Sequence, residues 1–447
     1  MIFRRNIQNI ISKCQFSSKN SSDFKVLSAL DKELVRSRPD LNLEMITDSK
    51  NKQMYEKNIV QRKGIGNIER IQHLWESIQR FTDSEKENQG FATPKESEEY
   101  FRNLWDQMYY EAYLLPNSTH PETPIGDETN NLVVDTYGDV QEKDQSKTYF
   151  AEDLVKSWRS LHHPTKAAGN RSYFLSGYLA ILEKAILNYV FNYVKNLGFV
   201  PVIVPDLIHN NVTVGCGVIQ KADHNSIQYS VFNNPSLHLS GTAEMGLGAL
   251  IEGKMFTNSN EFPKKFVALS RCYRPEVSNS AQEAKLYRVH EFFKIEMFSL
   301  CLPSQSSQML EDFLQIQKDI FKNLEIPYRV LNMSSQELGA SAYKKYDIEA
   351  WMKGRKMFGE VSSSSNCTDY QTRRLNVKFQ NEIGEYEFLH TVNGTAVAST
   401  RTLISILENS QKGKTIPSFP SVLNINMDRG KWQPLKMKEA SNFKYTD

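Results

Sequence analysis

The chain contains few cysteines, and none of them are spaced for metal binding. Five cysteines are scattered through its 447 residues, and no two form a CxxC motif. This distribution argues against a disulfide framework and against a structural zinc site, and it favours a reducing compartment. No run of about 18 apolar residues occurs, so no membrane-spanning helix is predicted. The composition is that of a globular protein, and the length predicts roughly two or three domains.

Neither sign of charge dominates, and a glycine-rich phosphate loop is missing. The 54 basic and 52 acidic residues leave a net charge of +2, so binding to nucleic acid would depend on local basic patches. The fragment nearest to a phosphate loop, Gly413-Lys414-Thr415, would need a glycine at position 408, where the chain has Glu408. A bound nucleotide would therefore have to be held by other groups.

Two arginines flank a segment that suits a bound polyphosphate. Residues 266–274 and 286–298 have the composition of two strands, and the polar loop between them, 275–285, contains no glycine. Arg274 and Arg288 lie near the two ends of this loop, and Glu276 and Glu296 flank them. Because a guanidinium group is planar and always charged, an antiparallel pair that carries two of them can hold phosphate oxygens.

The two ends of the chain differ from the rest in composition. Residues 1–22 carry four basic side chains and no acidic one, and apolar residues recur at three- and four-residue steps. This composition resembles a mitochondrial presequence, and a basic tail without a targeting role is the alternative. The C-terminal tail, 426–447, is mildly basic and is more typical of a solvated end than of an RNA-binding arm.

Periodic apolar residues predict a helical hairpin in the N-terminal part. They recur at helical steps from 68 to 81 and from 101 to 112, and Thr93-Pro94-Lys95-Glu96 has the composition of a capping box. We expect 23–115 to form a helical arm, 116–150 a polar linker, and 151–425 a mixed domain of helices and strands. Further helices are predicted at 178–197, 304–324 and 400–409, and strands at 199–204, 328–331, 375–380 and 385–390.

Four more polar clusters lie in apolar surroundings. They are Thr242-Ala243-Glu244, residues 360–367, residues 390–395, and Arg401. Taken singly, each is more often a turn, a cap or a satisfied core group than a functional site. The order and spacing of the four clusters along the chain point to a functional site far more specifically than any one cluster does.

Residues from about 115 to 425 resemble the catalytic domain of class II seryl-tRNA synthetases, most closely the mitochondrial type. The helix at 178–197, the strand after it and Pro205 resemble the first motif of the family, CYRPE and LYRVHEFFKIEMF the second, and HTVNGTAVASTRTLISILENSQ the third. LSGTAEMGL, FGEVSSSSNCTDYQTRR and LLPNSTHPETPIGDE match further family signatures. The resemblance implies an α+β fold, with an antiparallel sheet in the catalytic domain and a short N-terminal helical hairpin.

The resemblance also implies roles for individual residues. Catalysis would rest on Arg274, Arg288 and Arg401. ATP would be bound by Arg274, Pro275, Glu276, Arg288, Phe292, Glu360, Val361, Ser362, Ser363 and Arg401, and Mg²⁺ by Glu360. Serine would be bound by Thr242, Ala243, Glu244, Arg274, Glu296, Asn393 and Thr395. The implied partners are serine and tRNA(Ser), with a homodimer or a heterodimer with a paralogue, and the implied location is the mitochondrial matrix.

Three features depart from the family pattern. Ala284-Lys285 stands where the family usually has Arg-Gly, in a loop that is about one residue shorter and that faces the tRNA acceptor end. The predicted hairpin helices span only ~22–30 Å. Residues 67–113 carry five basic and ten acidic residues, a net charge of −5, which is a poor surface for phosphate binding.

These departures leave alternatives open. A synthetase-like paralogue without activity, which binds an active synthetase or RNA, would have the same fold. A nucleotide-binding regulator that uses no tRNA is a weaker possibility, and the hairpin could serve dimer packing instead of RNA binding.

Overall fold

The computed structural model describes residues 27–36, 38–86, 94–140, 147–163, 169, 171–219, 228–276, 285–416 and 418–425. Several sequence predictions fall outside these residues. They are the presequence at 1–22, Thr93 of the capping box, Ala284 of the loop that departs from the family, and the tail at 426–447.

Helices surround the sheet and form the N-terminal part of the molecule. They are α1 (Ala29–Arg36), α2 (Leu43–Thr47), α3 (Lys52–Gln61), α4 (Ile68–Lys86), α5 (Pro94–Leu114), α6 (Ala151–Leu154), α7 (Gly177–Asn196), α8 (Asn210–Gly215), α9 (Ala243–Ile251), α10 (Ser306–Asn323), α11 (Tyr370–Arg374) and α12 (Ser399–Asn409). The predicted hairpin corresponds to α4 and α5, and α7, α10 and α12 match the three further helices predicted from periodicity.

The strands are mostly antiparallel. They are β1 (Leu132–Tyr137), β2 (Leu161–His162), β3 (Phe174–Leu175), β4 (Val200–Val202), β5 (Leu207–His209), β6 (Tyr229–Val231), β7 (Asn234–Leu239), β8 (Met255–Phe256), β9 (Lys264–Tyr273), β10 (Glu291–Cys301), β11 (Tyr328–Asn332), β12 (Lys344–Met352), β13 (Met357–Thr368), β14 (Lys378–Gln380), β15 (Tyr386–Glu387) and β16 (His390–Ala398).

Eight strands form the main sheet in the order β1-β11-β12-β13-β16-β10-β9-β4. Neighbouring strands within this sheet are antiparallel, except that β4 runs parallel to β9 at the edge. The predicted α+β class with an antiparallel catalytic sheet is therefore confirmed.

Both faces of the sheet centre are covered. Apolar residues of α7, α10 and α12 form one buried cluster with residues of β10–β13 and β16. Helix α10 lies so close to β16 that a Cβ on Gly394 would come within 3.1 Å of the Phe313 ring. On the opposite face, Phe298 and Leu300 of β10 pack with the apolar residues of α9. Because neither face is solvated, β10 is buried almost throughout its length.

The N-terminal helices have a core of their own. Phe81 of α4 stacks on Phe101 of α5 with ring centroids 5.0 Å apart, and Trp75 meets Trp105 edge-on at 6.0 Å. Helices of 19 and 21 residues span about 28 and 32 Å, close to the predicted short arm. The buried Arg62 connects this part to the rest, since its guanidinium donates to the carbonyl of Asn117 at 3.1 Å.

The structure differs from the sequence predictions in three places. Residues 116–150, predicted as a polar linker, contain β1, which pairs with β11 at the sheet edge. Because most β1 side chains are exposed, the sequence there lacks the alternation of apolar and polar residues that predicts a strand. The strand predicted at 286–298 begins only at Glu291, because residues 286–290 form a turn and an irregular segment. The predicted strand at 375–380 is shortened to β14, because α11 ends only at Arg374 and Leu375 is its C-cap.

No helix among the described residues is both long and apolar enough to span a bilayer.

A buried ion-pair network joins four distant segments. The Arg355 guanidinium pairs with Glu152 at 2.7 Å and with Glu408 of α12, and the three side chains are at most 6% exposed. Glu408 also accepts from the backbone N–H of Ala151, and Glu152 from that of Leu286 at 3.3 Å. The network therefore fixes the start of α6 and the backbone at Leu286 against α12.

We predict that Arg355→Met destabilises the protein by about 3–5 kcal/mol, because two buried carboxylates lose their cation. Urea unfolding followed by tryptophan fluorescence would measure the change. Arg102→Met is the matched control, since Arg102 pairs with Glu98 on an exposed surface and should contribute less than about 1 kcal/mol. Equal losses in the two variants would contradict the structural role of the network.

Candidate active site

A cavity of about 290 Å³ opens on the face of the sheet where β10 carries Phe298 and packs against α9. It gathers most of the residues singled out in the sequence, although they come from distant segments. They are Thr242, Glu244, Arg274, Glu276, Phe292, Glu296, Glu360, Val361, Ser362, Ser363, Asn393, Thr395 and Arg401. Arg288, Pro275 and Ala243 are outside this lining.

One end of the cavity is built on the pairing of β10 with β16. The register places Glu296 opposite Thr395, and the Thr395 hydroxyl donates to Glu296 Oε2 at 3.2 Å. Lys294, two residues before Glu296 on the same face, pairs with its carboxylate and donates to Thr395 Oγ1 at 3.2 Å. Lys294 and Glu296 are 6% and 3% exposed, so a fixed charge pair lies beside a hydroxyl in a largely dry environment.

A second carboxyl group faces this pair from the first turn of α9. Thr242 caps the helix, because its hydroxyl accepts from the backbone N–H of Glu244 at 3.3 Å. The Glu244 carboxyl accepts from Gln371 at 2.6 Å and from Asn393. Burial, and secondarily the nearby Glu296 carboxylate, raise the pKa of Glu244 from 4.5 to about 7. This end therefore favours a cation, whose charge would convert Glu244 to its carboxylate form.

The other end of the cavity is cationic. Arg274 lies one residue beyond β9, with its guanidinium 5.4 Å from the centroid of the Phe292 ring. Arg401, in the first turn of α12, donates to the carbonyl of Glu360 at 2.9 Å and stacks over Tyr287 at 4.6 Å. No carboxylate among the described residues forms an ion pair with Arg274. Its guanidinium is therefore available to an anionic ligand.

The Glu360 carboxyl lies between these cations. Burial alone would raise its pKa, but Arg401, Lys345 and Arg274 outweigh that effect and lower it. Its side chain remains 45% exposed towards the cavity, so an ionised carboxylate faces the space beside Arg401. Among the residues that the structure describes, no group of three or more histidine, cysteine or acidic side chains could enclose a metal ion without help from a ligand.

Comparison with known proteins identifies relatives of this chain. The model of the tRNA synthetase class II core domain (G, H, P, S and T) matches residues 229–410. The chain is 36% identical to a serine--tRNA ligase of Rubrobacter xylanophilus, over 77% of this chain and 81% of that protein. It is 42% identical to the mitochondrial serine--tRNA ligase of Mus musculus, over 72% of this chain and 62% of that protein.

The chain belongs to the serine--tRNA ligase family. It spans about three fifths of the length of the mouse and bovine mitochondrial relatives it matches.

Solved structures of this family share the fold. The seryl-tRNA synthetase of Pyrococcus horikoshii, solved in complex with ATP, superposes with a TM-score of 0.69 at 28% identity, covering 89% of this chain and 97% of that one. The cytoplasmic serine-tRNA ligase of Naegleria fowleri, solved with AMP, gives 0.66 at 30% identity, covering 77% and 74%. The match in fold extends across most of the chain.

The sequence analysis placed Arg274 and Arg288 on two paired strands, and the structure places neither of them there, whereas Arg401 lies at the start of the predicted last helix. Arg274 follows β9, Arg288 precedes β10, and Arg401 lies on a helix. Arg288 reaches the cavity indirectly, by pairing with the cavity residue Glu276 at 3.1 Å. The strand hypothesis is wrong because residues 286–290 turn before the ladder begins, whereas a phosphate contact from Arg288 itself stays a prediction.

Sequence reasoning missed three polar residues of the site. The sequence indicated Lys294 only weakly: it precedes Glu296 by two residues, so the two side chains lie on the same face of a strand. Gln371, which donates to Glu244, belongs to the quoted family signature but carried no role of its own. Lys345 had no signal at all, because only the pairing of β12 with β13 brings it to the cavity.

We predict that Glu244 gives the unliganded protein a measurable pH dependence. A pKa raised by folding means that its stability contribution is fully present below the unfolded pKa of 4.5 and is lost as pH rises through about 7. Between pH 5.5 and 8.5 the wild type should therefore lose about 2 kcal/mol relative to Glu244→Gln. Urea unfolding at both pH values would measure the difference.

The matched control is Glu382→Gln, which alters an exposed glutamate in a turn outside the cavity. Its stability relative to the wild type should change little over the same range. If the difference in unfolding free energy between the wild type and Glu244→Gln also stays constant from pH 5.5 to 8.5, the Glu244 carboxyl is ionised throughout that range, which would contradict the prediction.

Proposed function

We propose that the chain is a mitochondrial serine--tRNA ligase, which activates serine with ATP and transfers it to tRNA(Ser). The observation that carries the proposal is the single cavity with a cationic end at Arg274 and Arg401 and a carboxyl and hydroxyl end at Glu244, Glu296 and Thr395. The first end suits the phosphates of ATP, and the second suits an ammonium and hydroxyl group.

The reaction needs two anions to approach each other. A carboxylate oxygen of serine attacks the α-phosphorus of ATP, the bond to the bridging oxygen breaks, and pyrophosphate leaves. The terminal ribose hydroxyl of the tRNA then attacks the seryl carbonyl, and AMP leaves. Arg274 and Arg401 supply fixed positive charge for the first step, where alignment of the reactants contributes roughly 7–11 kcal/mol.

Serine selectivity would arise from the pairing of β10 with β16. The Thr395 hydroxyl lies 3.2 Å from both the Glu296 carboxylate and the Lys294 ammonium, so its position is fixed before a ligand binds. A substrate hydroxyl would join this group, whereas alanine would leave buried polar atoms unpaired. Discrimination of this kind reaches on the order of 10⁴.

Glu360 could bind Mg²⁺ at the cationic end of the cavity. Its carboxylate is ionised and faces the cavity, and Mg²⁺ sites in nucleotide enzymes commonly use one or two carboxylates together with substrate phosphates. The ion would neutralise charge on the phosphates of bound ATP. The relatives solved with ATP and with AMP support nucleotide binding by this chain.

We also propose a mitochondrial matrix location and a dimer. The mouse, bovine and Schizosaccharomyces pombe relatives are named mitochondrial, and residues 1–22 resemble a presequence. In the segment that resembles the first family motif, Val200, Ile203 and Leu207 are 55%, 97% and 47% exposed in the single chain. Covering these side chains would stabilise a homodimer, or a heterodimer with a paralogue.

The second candidate is an inactive paralogue that binds an active synthetase or RNA. It is favoured by the acidic hairpin and by Ala284-Lys285. The intact cavity favours the enzyme. Serine-dependent ATP–pyrophosphate exchange separates the two, because an inactive paralogue that folds normally would show none, and charging of tRNA(Ser) then tests the transfer step.

We predict that Arg274→Ala lowers serine-dependent exchange by at least about 100-fold, because transition-state charge on the phosphate loses a fixed cation. Arg271→Ala is the matched control. Arg271 lies three residues earlier, on β9, and pairs with Glu291 on an exposed surface. Its exchange rate should remain within about twofold of the wild type, and a similar rate for Arg274→Ala would refute the assigned role.

We predict that Thr395→Ala raises KM for serine roughly 10- to 100-fold, the range expected for losing a hydrogen bond to charged groups. KM for ATP should change less than about threefold, because Thr395 lies at the other end of the cavity from Arg401. Exchange kinetics with each substrate varied in turn would measure both values. Equal changes would show that Thr395 supports the whole cavity instead of the serine end.

A further inference from the structure

One wall of the catalytic cavity is a short irregular segment of chain. Residues 339–342 lie between the one-turn 3₁₀ helix Ser335–Glu337 and β12, and three of them, Gly339, Ser341 and Ala342, line the cavity. We call residues 339–342 the wall segment. Because an irregular segment has no complete set of backbone hydrogen bonds of its own, other parts of the chain must hold it in place.

The N-terminal part of the chain binds three successive carbonyls of the wall segment. Arg62 donates to the carbonyl of Gly339 at 2.5 Å. The backbone N–H of Asn117 donates to the carbonyl of Ala340 at 2.8 Å, and the Asn117 side-chain amide donates to that of Ser341 at 2.8 Å. Arg62 also donates to the carbonyl of Asn117 at 3.1 Å, so one guanidinium joins both donors to the wall segment.

Arg62 is a buried cation without a carboxylate partner among the described residues. Its side chain is 3% exposed, and its hydrogen bonds go mainly to backbone carbonyls. Burial lowers the pKa of the guanidinium to about 10, so it stays charged at neutral pH. Since a buried charge is costly unless hydrogen bonds replace its hydration, these carbonyls and the guanidinium hold each other in fixed positions.

The neighbouring ion pair cannot replace this contact. Lys63 pairs with Glu337 at 3.1 Å, but the two side chains are 50% and 32% exposed. Exposed pairs of this kind contribute little, because water and salt screen them. The position of the wall segment therefore depends on Arg62 far more than on Lys63.

The wall segment borders the end of the cavity that contains Glu244, which we call the serine end. A Cβ on Gly217 would come within 2.8 Å of the Ser341 Cβ, so the backbone of residue 217 lies directly against the wall segment. The carbonyl of the preceding residue, Cys216, accepts from Gln371 at 3.3 Å, and Gln371 also donates to Glu244 at 2.6 Å. A displaced wall segment would therefore disturb the surroundings of Glu244.

A second series of contacts joins Asn117 to the same carboxyl group. The Asn117 amide donates to the carbonyl of Cys367 near the end of β13, at 2.9 Å. The Cys367 thiol accepts from the Asn393 amide at 3.6 Å, and Asn393 donates to Glu244. Because Arg62 holds the carbonyl of Asn117, both series of contacts begin at the same guanidinium.

We propose that Arg62 is a positioning residue for serine binding. It does not line the cavity itself, but it holds Asn117 and the wall segment where the serine end can receive an ammonium and a hydroxyl group. The proposal rests on the proposed function, since serine is the substrate of that function. It adds a residue from the end of α3, outside the catalytic core, to those that determine serine affinity.

The test compares Arg62→Met and Arg62→Lys in the full chain. In ATP–pyrophosphate exchange, Arg62→Met should raise KM for serine roughly tenfold, because a small displacement of the cavity wall spoils a fixed geometry. KM for ATP should change less than about threefold, since the arginines at the other end keep their own contacts. Arg62→Lys keeps the charge and should bring KM for serine to within about threefold of the wild type.

Three kinetic outcomes would overturn the proposal. They are an unchanged KM for serine in Arg62→Met, equal increases of KM for serine and ATP in that variant, and a KM for serine in Arg62→Lys that is no lower than in Arg62→Met.

Arg38→Met is the matched control for a general loss of stability. Arg38 also belongs to the N-terminal part, but it pairs with Asp106 at 3.0 Å and lies outside the cavity lining. Its loss should lower the midpoint of urea unfolding while KM for serine stays within about twofold of the wild type. If Arg38→Met raised KM for serine as much as Arg62→Met does, the effect would be one of stability and the proposal would be wrong.

Hydrogen exchange separates this proposal from the proposed function, because it requires neither serine nor activity. Within the wall segment, the amide of Ala342 donates to the carbonyl of Gly339 at 3.0 Å. A peptide that covers 339–343 should exchange its amide hydrogens at least about fivefold faster in Arg62→Met, and at the wild-type rate in Arg38→Met.

If the wild type shows no ATP–pyrophosphate exchange, calorimetric titration with serine replaces the kinetic measurement. Unchanged hydrogen exchange in Arg62→Met would refute the positioning role alone. Absent activity together with faster hydrogen exchange and weaker serine binding in Arg62→Met would instead count against the proposed function alone.

Discussion

The register of β10 against β16 is the constraint on which the site depends. Lys294 and Ile295 pair with Ala398 and Val397, but Glu296 then pairs with Thr395, so one residue of β16 is skipped. Without this bulge Glu296 would lie opposite Ala396. The bulge instead brings the Thr395 hydroxyl to the face of Glu296, while Ala396 packs into the core on the other face. A one-residue irregularity thus decides whether the carboxylate meets a hydroxyl or a methyl group.

The elements around this strand pair place carboxyl groups at one end of the cavity and arginines at the other. Lys294 balances Glu296 in the interior, where an unpaired carboxylate would be costly. Glu244 has hydrogen-bond donors but no ion-pair partner among the described residues, and burial raises its pKa. At the other end Arg274 has no carboxylate partner among the described residues, so the cavity as a whole suits a ligand that is cationic at one end and anionic at the other.

Rigid elements hold the candidate active site in place. Its cavity is built on strands and on the first turns of α9 and α12, and such elements hold side chains rigidly. The buried network of Arg355, Glu152 and Glu408 connects the start of α6 and the backbone at Leu286 to the helix that carries Arg401.

The sequence by itself determined the features that depend on near neighbours along the chain. Helical periodicity predicted α4, α5, α7, α10 and α12, and the family motifs named half of the residues that line the cavity. Edge strand β1 was missed because its alternation is weak when most of its side chains are exposed. The turn at 286–290 was missed because its apolar residues, buried in a loop, have the same composition as a strand.

Only the tertiary structure decided which of these residues meet. Glu296 and Thr395 are 99 residues apart in the chain, and Glu244 and Gln371 are 127 apart. The contribution of Lys345 and the indirect position of Arg288 likewise follow from strand pairing and loop packing. The physical reason is that local propensity is set by a few adjacent residues, whereas register, bulges and cavities result from the simultaneous packing of the whole sheet and its helices.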